Sequence, residues 1–158
     1  RLADTPVLSW RWKVERHLPD VDPRTKPGDD YPARVYVLFA YDPARAPLSR
    51  RAAWSAARLL YGEYPPDSSL VYVSTSSSVT VRRYRSPYTD RAAMVVRRTR
   101  ADAAGVWYEE RADVLADYRA AFGEDPPAEG SLAVMADADN TGASSRAFID
   151  YIRLEARQ

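Results

Sequence analysis

The alternation of apolar and polar residues predicts a chain built mainly from β-strands. Residues 8–14 alternate strictly and place Trp10 and Trp12 on the apolar side, as in a half-buried strand. Residues 34–41 are β-branched or aromatic at nearly every position, which predicts a central strand. Four further short strands are predicted at residues 69–74, 79–83, 92–98 and 106–110.

The segment 133–142 has the most informative pattern in the chain. An apolar strand runs directly into a group of oxygen-bearing side chains, namely Asp137, Asp139, Asn140 and Thr141, before Gly142. A second apolar strand follows at residues 147–157. This succession predicts a β-hairpin whose connection carries several oxygen ligands.

Two helices and one long loop complete the expected architecture. Residues 48–61 predict a surface helix, and residues 113–122 predict a second helix that is capped by Asp113 and ended by Gly123. Residues 15–32 contain four prolines and predict a long loop. We therefore expect one all-β domain over residues 1–158, an antiparallel, jelly-roll-like sandwich with one or two short helices in its connections.

Composition narrows the classes of function. The 158 residues include 23 basic and 22 acidic side chains, so a net charge of +1 gives no electrostatic reason to expect binding to nucleic acid. No apolar run is long enough for membrane insertion. Cysteine is absent, which excludes disulfides, cysteine-bound zinc and thiol catalysis, and the single histidine, His17, excludes a multi-histidine metal site.

Asp137, Asp139 and Asn140 are the first candidates for chemistry. Carboxylates two positions apart on an extended segment lie on the same side, where they can hold a structural calcium ion. The same carboxylates, or one of them with Asp30, can act as a catalytic acid and base. The alternative is a turn in which the side chains bind their own backbone.

Asp150 is unusual because it lies within an apolar strand. By alternation it lies on the same side of the strand as Phe148, Ile152 and Leu154. If that side faces the core, the carboxylate of Asp150 is buried and requires a partner. A calcium ion shared with Asp137 and Asp139 is one such partner. The alternative to burial is that Asp150 lies at a sheet edge and is exposed to solvent. The other candidate partners are the arginines of neighbouring predicted strands: Arg11, Arg34 and Arg111.

Two further features bear on ligand binding. Asp29 and Asp30 precede Arg34 and form a third polar cluster, for which an ordinary turn is the alternative interpretation. Aromatic rings in loops can stack on sugar rings or can be ordinary surface residues. The candidates for stacking are Tyr61, Tyr64, Tyr84 and Tyr88.

Several motifs in order resemble a bacterial family, domain of unknown function 3047. They lie at residues 10–14, 28–30, 33–37, 117–118, 122–123, 126–127 and 137–141. The resemblance implies an exported protein, periplasmic or extracellular, and a domain that begins upstream of Arg1, so that one or two N-terminal strands would be missing here. Residues 148–154 are also similar to the last strand of jelly-roll carbohydrate-binding modules and galactose-binding-like sandwiches, many of which hold a structural calcium ion.

Three functions are compatible with these features. The first is a noncatalytic domain of a bacterial envelope protein that binds a glycan or another small polar ligand in a cleft formed by Arg11, Lys13, Arg34 and the loop 137–140. The second is a glycan hydrolase or lyase with two carboxylates roughly 5 to 10 Å apart. The third is an architectural envelope protein. The expected ligand-binding residues are Arg11, Lys13, Asp29, Asp30, Arg34, Arg111 and Asn140.

Overall fold

The computed structural model describes residues 2–44, 46–61 and 65–157. Within these residues the chain forms eight strands, two α-helices and one short 3-10 helix at Lys26–Gly28. The helices are α1 (Leu48–Tyr61) and α2 (Val114–Phe122). The strands are β1 (Val7–Val14), β2 (Tyr31–Phe39), β3 (Ser68–Ser74), β4 (Arg83–Arg85), β5 (Ala92–Arg98), β6 (Trp107–Asp113), β7 (Gly130–Asp137) and β8 (Ala147–Glu155).

The strands form two sheets that pack face to face. The small sheet has the order β6-β1-β8, and the large sheet has the order β4-β5-β3-β2-β7. The predicted all-β sandwich with two helices is therefore confirmed. One strand pair departs from the expected antiparallel pattern, because β3 and β5 run parallel. The jelly-roll arrangement stays a proposal, since the sheets have three and five strands.

The main core lies between the two sheets. Leu8, Trp10, Trp12 and Val14 of β1 are buried against residues of β2, β3 and β5, as the alternation of β1 predicts. The ring centroids of Trp10 and Tyr72 are 5.1 Å apart. Fully burying side chains of this size contributes about 2 to 3 kcal/mol each to the hydrophobic driving force. The core thus depends on β1 lying at the centre of the small sheet.

The predicted hairpin between the last two strands is wrong. β7 pairs with β2 in the large sheet, whereas β8 pairs with β1 in the small sheet, so the connection between them crosses from one sheet to the other. The apolar pattern of a strand indicates which side faces the core, but it does not show which strand is the partner.

Both helices lie where the sequence predicts them. The side chain of Asp113 accepts a hydrogen bond from the backbone N–H of Ala116 at 3.0 Å, and Gly123 ends α2 in the left-handed conformation with φ 73°. Helix α1 has largely exposed side chains. The strand predicted at residues 79–83 is instead the short β4 at Arg83–Arg85.

The large sheet extends beyond the small sheet at β7. Val134 pairs with the buried Val35, and Leu132 pairs with the buried Val37, so both β7 side chains project on the core side of the sheet. They nevertheless remain 54% and 39% exposed. The small sheet ends at β8 and leaves this side of β7 uncovered.

Candidate functional site

A largely buried ion-pair cluster lies on the outer face of the large sheet. We call it the Arg34 cluster, and its members are Asp29, Asp30, Arg34, Asp137 and Asp139. Arg34 projects from β2 away from the main core, and its guanidinium pairs closely with Asp137 on the neighbouring strand β7. A second carboxylate, that of Asp29, lies 3.7 Å from the same guanidinium. The cluster forms because the antiparallel β2–β7 pairing brings the start of β2 beside the end of β7.

Asp30 fastens the loop that follows β7. Its carboxylate accepts hydrogen bonds from the backbone N–H of Asn140 at 3.2 Å and of Thr141 at 2.7 Å. The Thr141 hydroxyl donates a third hydrogen bond at 2.6 Å. Asn140 therefore takes part through its backbone. Asp30 holds the loop much as a side-chain cap holds a helix end.

The charges of the Arg34 cluster are partly desolvated. Burial raises the pKa of the Asp29 carboxyl, Arg34 opposes this rise, and Asp137 adds to it. Burial likewise raises the pKa of Asp137, while Arg34 and the backbone N–H of Tyr31 oppose the rise. Among the described residues, Oδ1 of Asp29 and Nε of Arg34 are buried without a hydrogen-bond partner.

The structure brings together two of the three predicted calcium ligands. One carboxylate oxygen each from Asp30, Asp137 and Asp139 lie within 4.8 Å of one another, a spacing that a cation could bridge. Asp150 does not belong to this group, because it lies on the small sheet beside Arg11. Arg34 already supplies positive charge to Asp137. Calcium binding at these carboxylates stays a prediction.

Two of the three predicted catalytic carboxylates, those of Asp30 and Asp137, are already engaged by protein groups. Asp30 accepts from the loop 140–141, and Asp137 accepts from Arg34 and from the backbone N–H of Tyr31 at 3.1 Å. Asp139 is the exposed member of the group. A hydrogen-bonded carboxylate can still transfer protons, but these hydrogen bonds hold the fold together. Catalysis by these residues stays a prediction.

The predicted cleft shared by Arg11, Lys13 and Arg34 does not form. Arg11 and Lys13 alternate with the buried residues of β1 and therefore lie on the outer face of the small sheet. Arg34 alternates with the buried Val35 of β2 and lies on the outer face of the large sheet. The two sets project from opposite sides of the sandwich. The sequence gives each strand its inner and outer faces, but it does not show which sheet each strand joins.

A second candidate site covers the outer face of the small sheet. Lys13 pairs across the sheet with Trp107 of β6 on one side and with Phe148 of β8 on the other. Its Nζ lies 5.2 Å from the Trp107 ring centroid and 4.7 Å from the Phe148 ring centroid. We call these three residues the Lys13 row. The stacking residues predicted from the sequence are loop tyrosines and do not include these two rings, because only the strand register aligns Trp107 with Phe148.

Charged side chains lie next to the Lys13 row. The guanidinium of Arg11 lies 4.9 Å from the Trp107 ring centroid and donates to the Asp150 carboxylate at 3.1 Å. The Arg153 guanidinium lies 4.4 Å from the Tyr151 ring centroid. Further along the sheet, Arg111 pairs with Glu155 at 2.8 Å. We call the Lys13 row together with these residues the small-sheet outer face.

The predicted burial of Asp150 is wrong, although one of its predicted partners, Arg11, is correct. Trp12 pairs with Ile149 and Arg11 pairs with Tyr151, so Asp150 is the extra residue of an irregularity in β8. Such a bulge reverses the phase of alternation, which turns Phe148 and Asp150 outward. Arg34 and Arg111, the other two candidate partners, pair with other carboxylates.

Among the described residues, the tyrosines predicted for stacking, and His17, belong to neither site. Tyr84 exchanges a hydrogen bond with Tyr31 at 3.0 Å, and burial raises the pKa of its hydroxyl to about 12. Tyr88 is 57% exposed. Tyr64 and the side chain of Tyr61 lie outside the described residues. Nε2 of His17 lies 3.0 Å from the backbone oxygen of Asp102.

Fold and surface together define a β-sandwich domain with a largely buried ion-pair cluster on one outer face and an aromatic, charged surface on the other. The chain belongs to the family described as Protein of unknown function (DUF3047), whose sequence profile matches residues 1–153. The family resemblance noted in the sequence is thus confirmed. Comparison with curated proteins gave no match, and comparison with solved structures gave none. In the part of the chain that the structure describes, neither helix has the length and apolar character to cross a membrane.

Proposed function

We propose that the chain is a noncatalytic domain that binds a glycan or a similar polar ligand through the small-sheet outer face. The observation that carries this proposal is the Lys13 row, in which two rings and a cation are aligned across three strands. Phe148 is 39% exposed and Trp107 is partly exposed. Flat rings on the outer face of a sheet can stack against the apolar C–H face of a sugar, while neighbouring charged groups bind its hydroxyls.

A noncatalytic role is consistent with the arrangement of the carboxylates. On the small-sheet outer face, Asp150 pairs with Arg11 and Glu155 pairs with Arg111. On the opposite face, Asp30 and Asp137 fasten the loop and the β2–β7 pair. The architectural interpretation thus applies to the Arg34 cluster, whereas ligand binding is assigned to the other face. The bacterial envelope setting is part of the proposal and rests on the family resemblance.

The test is retention on a panel of immobilised bacterial and plant polysaccharides. The wild type is compared with Trp107→Ala and Phe148→Ala, and Tyr88→Ala serves as the matched control because it removes an exposed ring elsewhere. We expect retention of the wild type and the control, and binding weaker by about tenfold or more in the two ring variants. Circular dichroism of each variant verifies that the fold is intact.

Two outcomes would contradict the proposal. No retention of the folded wild type on any polysaccharide would leave the architectural function. New reducing ends, detected by mass spectrometry and lost in Asp137→Asn or Asp139→Asn, would make the protein a glycan-cleaving enzyme. In that case the Arg34 cluster, and not the small-sheet outer face, would be the active site.

A further inference from the structure

Lys13 differs from Arg11 and Arg111 on the same face in having no acidic partner among the described residues. Among residues 2–44, 46–61 and 65–157, no carboxylate lies within salt-bridge distance of its Nζ. Arg11 is paired with Asp150, and Arg111 is paired with Glu155. The Lys13 charge is therefore available to a ligand, whereas these two neighbouring charges are already balanced.

The two flanking rings fix the position of this charge. An ammonium group near an aromatic ring is attracted by the electron density of the ring face. Lys13 has such a ring on each side, because Trp107 and Phe148 are its cross-strand neighbours. The two rings belong to strands that are two strand spacings apart, roughly 10 Å. A glycan chain can span that distance with one sugar unit beside the Lys13 ammonium group and its two neighbouring units on the rings.

We propose that the ligand is an anionic glycan whose sugar carboxylate binds Lys13 while the adjoining sugar rings lie on Trp107 and Phe148. This inference rests on the proposed glycan-binding function and adds the chemical class of the ligand. A uronic acid places one carboxylate on the edge of a ring whose faces remain apolar. The Lys13 row offers the complementary arrangement, with one cation between two apolar surfaces.

A single-stranded nucleic acid also combines flat rings with negative charge, but the surface fits it less well. On the same outer face, Arg11 and Arg111 are already paired with Asp150 and Glu155, so they do not offer a row of free cations for successive phosphates. Surfaces that follow such a backbone normally carry a continuous positive groove. The net charge of the whole chain is only +1.

The experiment compares two forms of one polymer, polygalacturonate and its methyl ester, in which the carboxylates are neutral. Their binding is measured for the wild type, Lys13→Met and Lys13→Arg by titration calorimetry or affinity electrophoresis. Methionine keeps a long unbranched side chain without the charge, and arginine restores a cation. Lys13 lies on a partly exposed sheet face, so neither variant disturbs the core.

We expect the wild type to bind the acid form about tenfold more tightly than the ester, as for one charge-assisted hydrogen bond. Lys13→Met should abolish this preference, Lys13→Arg should restore most of it, and salt should weaken binding of the acid form. Equal binding of acid and ester would overturn the inference while leaving the proposed function in place.

Other outcomes separate the inference from the function on which it rests. If the protein bound neutral polysaccharides of the wider panel but neither form of galacturonan, the inference of an anionic ligand would be overturned. The proposed glycan-binding function would remain. Retention on single-stranded RNA or DNA, lost in Trp107→Ala, would replace the glycan by a nucleic acid. Binding to none of these polymers would remove the proposed function itself.

Discussion

Glu110 is a buried carboxylate that joins the two sheets. It projects from β6 of the small sheet and accepts hydrogen bonds from two arginines of β5 in the large sheet, Arg97 at 3.1 Å and Arg98 at 2.6 Å. The indole N–H of Trp12 donates a third hydrogen bond at 3.3 Å. The sequence does not reveal these contacts, because the alternation of β6 does not show that β5 lies across from it.

Glu110→Gln is expected to destabilise the protein by about 2 kcal/mol, since two arginines would lose the charge that balances them in a partly buried site. The free energy of unfolding in urea measures this loss. The control is Glu109→Gln on the exposed side of the same strand, which should change stability by less than about 0.5 kcal/mol. Equal effects of the two variants would show that Glu110 contributes no more than a surface residue.

The pKa of Asp29 predicts the pH dependence of a second variant. Because burial raises the folded-state pKa of this carboxyl, its ionisation costs stability at neutral pH, and the cost disappears as pH falls toward the ordinary value of 3.8. Asp29→Asn is therefore expected to be more stable than the wild type at neutral pH and to lose this advantage on acidification. Thermal unfolding across this pH range provides the measurement.

Asp113 provides a comparison of opposite sign. Burial pushes its pKa up, but the N–H of Ala116 and the guanidinium of Arg157 together lower it below its ordinary value. Asp113→Asn should therefore destabilise the protein at neutral pH, and the loss should fade as the pH falls through the lowered pKa. If both variants followed the same trend, the assignment of desolvation as the dominant effect at Asp29 would be wrong.

At the level of single elements, local signals predict the strands and helices better than they predict strand pairing. The alternation of β1, the cap at Asp113 and the stop at Gly123 are local features, and the structure confirms them. The bulge at Asp150 depends on how β8 fits against β1, so no local signal reveals it. One extra residue reversed the faces predicted for Phe148 and Asp150.

Gly130 at the start of β7 illustrates the same dependence on pairing. A Cβ at this position would lie 2.5 Å from the backbone oxygen of Leu38 in the paired strand β2. Backbone cannot move aside as a flexible side chain can, so Gly130→Ala is expected to cost about 1 to 3 kcal/mol. Urea unfolding tests this, with the exposed neighbour Ser131→Ala as control. Equal stability of the two variants would contradict the predicted clash.

At the scale of the whole molecule, the candidate sites follow from which strands are neighbours. Asp30 and Asp137 were both candidates from sequence, and they meet because β2 pairs with β7. Lys13 and Arg34 were expected to share one cleft, and they lie on opposite faces because β1 and β2 belong to different sheets. The residue types thus indicated which side chains could form polar clusters, whereas their grouping required the topology.

Strand β8 is expected to be essential for the folded state. Ile149 and Ile152 pack against the core beside Trp12 and Trp10, so a chain ending at residue 146 would uncover one side of β1. We expect this truncated chain to show no cooperative thermal transition. A chain ending at Glu155 is the control, because it loses only exposed contacts such as the Arg157–Asp113 pair. A cooperative transition in the shorter chain would show that β6 and β1 suffice.

The strand order of the small sheet also affects when the chain can fold during its synthesis. Arg11 of β1 and Asp150 of β8 are 139 positions apart, so β1 waits for β8 before the small sheet is complete. At ordinary translation speeds of about 5 to 20 residues per second, Trp10 and Trp12 stay without their final cover for roughly 7 to 28 seconds. During that interval a nascent chain exposes a tryptophan-rich edge strand, the kind of segment that chaperones shield.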